Sequence, residues 1–110
     1  MVQGSSFTPG GATSGGSVAD ASGTITTGGT AQTALAAQYQ RRYLFILNPS
    51  TATETLWINL VGTATANGEA TGSVPMAPGQ SFVWEDSLVP ANAISVLGAT
   101  TGHKFTIYVG

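Results

Sequence analysis

From residue 23 onward the apolar residues of this chain come in short runs, and each run stops at turn chemistry before a helical period can develop. Thr24–Thr27 and Thr30–Leu35 flank Gly28-Gly29 and read as a hairpin or a bulged edge strand. Arg42–Asn48 is apolar at both alternating sets of positions, the pattern of a central strand covered on each side, and Asn48-Pro49-Ser50 ends it. Leu56–Val61 follows, with Leu56, Ile58 and Leu60 on one face and Trp57, Asn59 and Val61 on the other. Asn67-Gly68 signals a tight turn, and Ala77-Pro78-Gly79 suits a type II turn after the strand Ser73–Met76. Ser81–Glu85 places Phe82 and Trp84 on one face, Ala93–Leu97 is a further strand, and Lys104–Val109 is one-sided through Phe105, Ile107 and Val109. Only Thr33–Gln40 has enough Ala and Gln for a short helical turn. Short strands at this spacing predict an all-β fold, a small antiparallel β-sandwich of jelly-roll type with 7–8 strands.

Residues 1–22 are different. Gly, Ser and Thr dominate, and the few large apolar residues, among them Val2, Phe7 and Val18, are too widely spaced to offset ~1–2 kcal/mol of backbone entropy per ordered residue. The expected organisation is therefore an extended arm over residues 1–22 and a sandwich domain over residues 23–110. Fully extended, the arm spans ~70 Å at about 3.3 Å per residue, so it reaches well beyond a small domain. Val2, Phe7 and Val18 read as anchors into a partner's grooves.

Charge narrows the function classes. Three Lys+Arg and five Asp+Glu leave a net charge of −2, too little positive charge for a nucleic-acid-binding stripe. The longest apolar run is Tyr43–Leu47, far short of the ~20 residues of a membrane span. Cys is absent and His103 is the only histidine, which excludes disulfides and an ordinary zinc site. No nucleophile–base pair, metal set or cofactor motif is recognisable, so the chain reads as a non-enzyme. His103 is expected in a surface turn beside Gly102. Glu85 and Asp86, as strand neighbours, point to opposite faces and cannot flank one bond. Trp57 and Trp84 read as core. Arg41 and Arg42 open the central strand, where they either deter edge pairing or bind a carboxylate on a neighbouring subunit.

The strings RRYLFILNPSTATETLWINLVGTA, GSVPMAPGQSFVWE and VPANAISVLGATTGHKFTIYVG resemble a group of small structural proteins of tailed bacteriophages. The features that carry the resemblance are the arginine-led strand Arg42–Ser50, Leu56–Asn59, the Pro75–Gly79 turn and Val89–Val96, and they fall within residues 23–110. The resemblance implies a virion structural protein, foremost a capsid decoration (cement) protein made in the host cytoplasm and seated on the outer capsid surface. Its implied partners are the major capsid protein and further copies of itself, with a homotrimer favoured. It implies no catalytic or cofactor-binding residues. A head-fibre, neck or tail component, or a carbohydrate-binding adhesin using exposed aromatics, are the alternative expectations.

Overall fold

Nine short strands make up the computed structural model, which describes residues 16–86 and 88–110, and alternation of buried and half-exposed residues is cleanest over Tyr43–Leu47. They are β1 (Ala19–Asp20), β2 (Gly23–Thr24), β3 (Gln32–Leu35), β4 (Tyr43–Leu47), β5 (Leu56–Asn59), β6 (Ser73–Met76), β7 (Ser81–Glu85), β8 (Ile94–Leu97) and β9 (Lys104–Val109). A 3-10 turn occupies Glu69–Thr71. The anchors Val2 and Phe7 lie outside the described residues.

Pairing is nested. β2 pairs with β9, β3 with β8, β4 with β7 and β5 with β6, all antiparallel. This long ribbon is rolled so that β1 and β2 share an edge of one sheet, β1-β9-β4-β7, while β3-β8-β5-β6 forms the other. β1 and β2 lie along the same strand β9, interrupted at Ala21-Ser22, where the Ala21 amide donates to Ile107 O and the Ile107 amide donates to Ser22 Oγ. Counted as one strand, they give eight strands in two sheets, the connectivity of a jelly roll. Among the described residues paired backbone thus starts at Ala19, so the last residues of the segment read as arm run along β9.

The core lies between the sheets. Leu44, Ile46 and Ile107 from one sheet and Leu56, Ile58, Met76, Ile94 and Val96 from the other are fully buried, with Ile25 and Phe105 completing the cluster. Burial of each such side chain contributes about 1.5–3 kcal/mol.

Three local expectations need correction. Residues 24–35 do not form a hairpin: Thr24 belongs to one sheet and Gln32 to the other, so Gly28-Gly29 carries the crossover. The Gly28 amide donates to Thr101 Oγ1 and the Gly29 amide to Gly98 O, which pins the crossover to the β8–β9 connection. The bulge expected in this region is present, between Thr33 and Leu35 of β3. That strand also replaces the helical turn expected from Thr33, because its backbone pairs with β8. Finally, β4 is central in its sheet but only Leu44 and Ile46 enter the core; Tyr43, Phe45 and Leu47 lie on the outer face. The Pro78-Gly79 turn forms as read, with Gly79 at φ 84° and the Gln80 amide donating to Ala77 O.

Candidate functional site

Two regions carry side chains whose placement exceeds the needs of the core. The first is the outer face of the β4-containing sheet. Tyr43, Phe45 and Leu47 project there from β4, and the β9 register sets Tyr108 beside Phe45 and Thr106 beside Leu47. Phe45 and Tyr108 stack with ring centroids 5.6 Å apart and 21° between planes. Val83 of β7 is also opposite Phe45 and is 52% exposed, while Tyr108 is 41% exposed. Glu85, Lys104 and Asp20 stand at the margins of this face. Isolated exposed apolar residues need no explanation, but a stacked aromatic pair with aliphatic neighbours on three adjacent strands is a surface suited to a partner.

Val18 lies at the end of the same sheet, 59% exposed, beside Gly110. Ser17, Val18, Ala19, Gln38, Arg41, Val109 and Gly110 line a shallow hollow there. The chain therefore enters the fold at a corner of the apolar face. Val18 and Arg42, both read as partner contacts, are exposed.

Arg41 is not. Only 6% of it is exposed, and its guanidinium donates to the carbonyls of Pro90, Asn92 and Ala36. It clamps the connection before β8 to the segment after β3, so the reading of Arg41 as a ligand for a neighbour's carboxylate is corrected. Burial pushes its guanidinium below the usual arginine value. The tryptophans are half-buried: Trp84 packs on the core with Phe82 beside it, centroids 6.0 Å apart, whereas Trp57 lies on the face opposite Leu56 and Ile58, with Pro75 and Leu97 as cross-strand neighbours.

The second region surrounds His103. Far from sitting in an exposed turn, its side chain is 3% exposed and hydrogen-bonded at both nitrogens. Nδ1 is 3.0 Å from Glu54 Oε2 and Nε2 is 2.8 Å from Asn48 Oδ1. Asn48 Nδ2 donates to the carbonyls of Glu54 and Met76, which fixes its amide so that Oδ1 faces the ring. Both ring nitrogens therefore face oxygen atoms, Nδ1 a carboxylate and Nε2 an amide carbonyl. Glu54 also accepts from the Thr100 hydroxyl at 2.7 Å and the Thr100 amide at 2.9 Å. The Thr100 hydroxyl and the His103 ring together hold the Glu54 carboxyl down at about 2. An open cleft of about 320 Å³ lies over this network, bordered by Thr51, Thr53, Thr101 and Lys104.

Chemically the network is a staple. It joins the β4–β5 connection, through Asn48 and Glu54, to the β8–β9 connection, through Thr100 and His103. Nε2, the nitrogen a catalytic base would offer to a nucleophile, is occupied by Asn48. Local sequence contains no sign of this, because His103 lies 49 residues from Glu54 and 55 from Asn48. Among the described residues no group of three acidic or histidine side chains is placed to hold a metal ion. No protein-family model, curated protein or solved structure matches the chain.

Proposed function

We propose that this chain is a structural protein of a tailed-bacteriophage virion, a capsid decoration protein that binds across major capsid subunits on the outer shell and stabilises it. Its role is mechanical and its partners are the major capsid protein and other copies of itself. The observation that carries this reading is the apolar outer sheet face built on Phe45 and Tyr108, with the N-terminal segment entering the fold at its corner beside Val18. A face and an adjoining segment can engage two neighbouring subunits at once, and each attachment raises the effective concentration of the other. Small residues in the segment permit close approach of backbone to backbone, so main-chain hydrogen bonds can act without charge. The engagement of both His103 nitrogens within the fold favours a binding role over catalysis.

The test is cosedimentation with capsids of the encoding phage assembled without this protein. Removal of residues 1–15 leaves β1 and the Ser22 contact in place, and Phe45→Glu alters only the outer face. Each is expected to weaken capsid binding at least tenfold while the isolated chain keeps its thermal stability. Undiminished binding by both variants overturns the reading.

A further inference from the structure

The sheet edges are unequal. β6 carries Pro75, which removes a donor from that edge. β3 is broken by its bulge between Thr33 and Leu35. β1 and β2 are two residues each and separated by Ala21-Ser22. Bulges, proline and very short strands are the devices by which folded proteins discourage edge-to-edge pairing. β7 has none of them. All five of its residues pair with β4 in unbroken register, and its only charge is the terminal Glu85.

The hydrogen-bond phase of β7 can be fixed. The Asn48 amide donates to Gln80 O at 3.0 Å, one position beyond the Leu47–Ser81 pair. Bonds in an antiparallel ladder alternate, so Phe82 and Trp84 exchange bonds with Ile46 and Leu44. Ser81, Val83 and Glu85 consequently turn their N–H and C=O groups outward. Among the described residues no strand pairs with that side.

We infer that β7 pairs antiparallel with β7 of a second copy of this chain, about a two-fold axis through Val83. The sequence Ser81-Phe82-Val83-Trp84-Glu85 is complementary to itself in this register. Val83 meets Val83, and Ser81 meets Glu85, at the outward-pointing groups, so the hydrogen-bonding pairs coincide on both strands. Phe82 of each copy faces Trp84 of the other. Both rings are only half-buried at the free edge, and pairing covers them with one another. No like charges oppose. The two outer apolar faces then continue into a single sheet. This association is two-fold, unlike the trimer that the family resemblance implies, and it rests on the edge of β7 whether or not the chain belongs to a virion.

Light scattering on the purified full-length chain, over a wide concentration range, tests it. A monomer–dimer equilibrium is expected. Val83→Pro removes a donor that faces outward and leaves the β4 ladder intact, so it should weaken the dimer at least tenfold, whereas Val83→Thr should not. Ser81 is exposed, so its variants probe the register without disturbing the fold. Ser81→Lys, placed opposite Glu85 of the second copy, should tighten the dimer about two- to fivefold, and Ser81→Glu should loosen it by a similar factor. A chain that stays monomeric, or an oligomer of any size indifferent to the Ser81 pair, overturns the inference. Should Val83→Pro fail to fold, the Ser81 variants decide alone. Capsid binding is read separately, so loss of the virion reading leaves this result standing.

Discussion

Asn48→Ala removes the centre of the His103 staple without touching the apolar core. The side chain is fully buried and makes three hydrogen bonds, at 3.0 Å to Glu54 O, 2.8 Å to Met76 O and 2.8 Å from His103 Nε2. Each of the three bonds contributes about 1 kcal/mol, and partners left buried and unpaired add up to ~2 kcal/mol more. The expected loss is therefore ~3–5 kcal/mol, a large share of the ~5–15 kcal/mol that stabilises a typical domain. At ~4–8 °C per kcal/mol for a domain of this size, the melting temperature falls by ~12–40 °C. Urea unfolding at neutral pH, followed by circular dichroism, measures the change as a shift of midpoint at constant slope. His103→Ala and the double variant complete a cycle, in which a coupling of at least ~1 kcal/mol is expected. A loss below ~1 kcal/mol, or no coupling, would refute the assignment of Asn48 as the buried centre of the staple.

Acid should unfold the protein in part through Glu54. Its carboxyl sits at about 2 in the fold against an ordinary 4.5, so the stability it contributes is complete above pH 4.5 and is lost as pH falls from there towards 2. Glu54→Gln lacks that contribution at every pH, and its stability profile across this window should be flatter than that of the parent; parallel profiles would contradict the staple. Asp20, fully exposed, is lowered by the hydroxyl and amide of Ser22 and slopes both profiles alike. Gly28→Ala would drive a methyl into Ala99 O and to 2.7 Å from Thr101 N, both backbone atoms, and should cost ~1–3 kcal/mol in thermal or urea unfolding. Gly16→Ala, with open space around it, should change stability by less than ~0.5 kcal/mol.

Strand positions were legible because side chains on a pleated backbone alternate, and Leu44/Ile46, Leu56/Ile58 and Phe105/Ile107 display that period in the sequence. The Ala77–Gln80 turn was legible for an equally local reason, the fixed φ of Pro78 and the positive φ open to Gly79. What local chemistry cannot convey is which sheet a strand joins. Gly28-Gly29 has hairpin composition, yet here it meets the β8–β9 connection and becomes a crossover. The same limit hid the burial of Arg41 and His103. Arg41 looks like an edge cation until the carbonyls of Ala36, Pro90 and Asn92 surround it. His103 follows a glycine in turn-like sequence, and its partners Asn48 and Glu54 come from the two ends of the β4–β5 connection. The apolar outer positions of β4 signalled burial on both faces, and only one of those faces meets core within the chain.

The nested order of the ribbon also governs how the chain can assemble. Asn59 and Ser73 are the strand partners closest in sequence, whereas Ala19 and Val109 sit near opposite ends of the described chain. Closing a long loop is costly in chain entropy, but each inner rung that forms draws the next two strands together and shortens the search that remains. Zipping from β5–β6 outward is thus the least demanding route, and the rung at Ala19 and Asp20 is the last to fasten and the first to fray. The stretch that leads into the fold is tethered at its most yielding point.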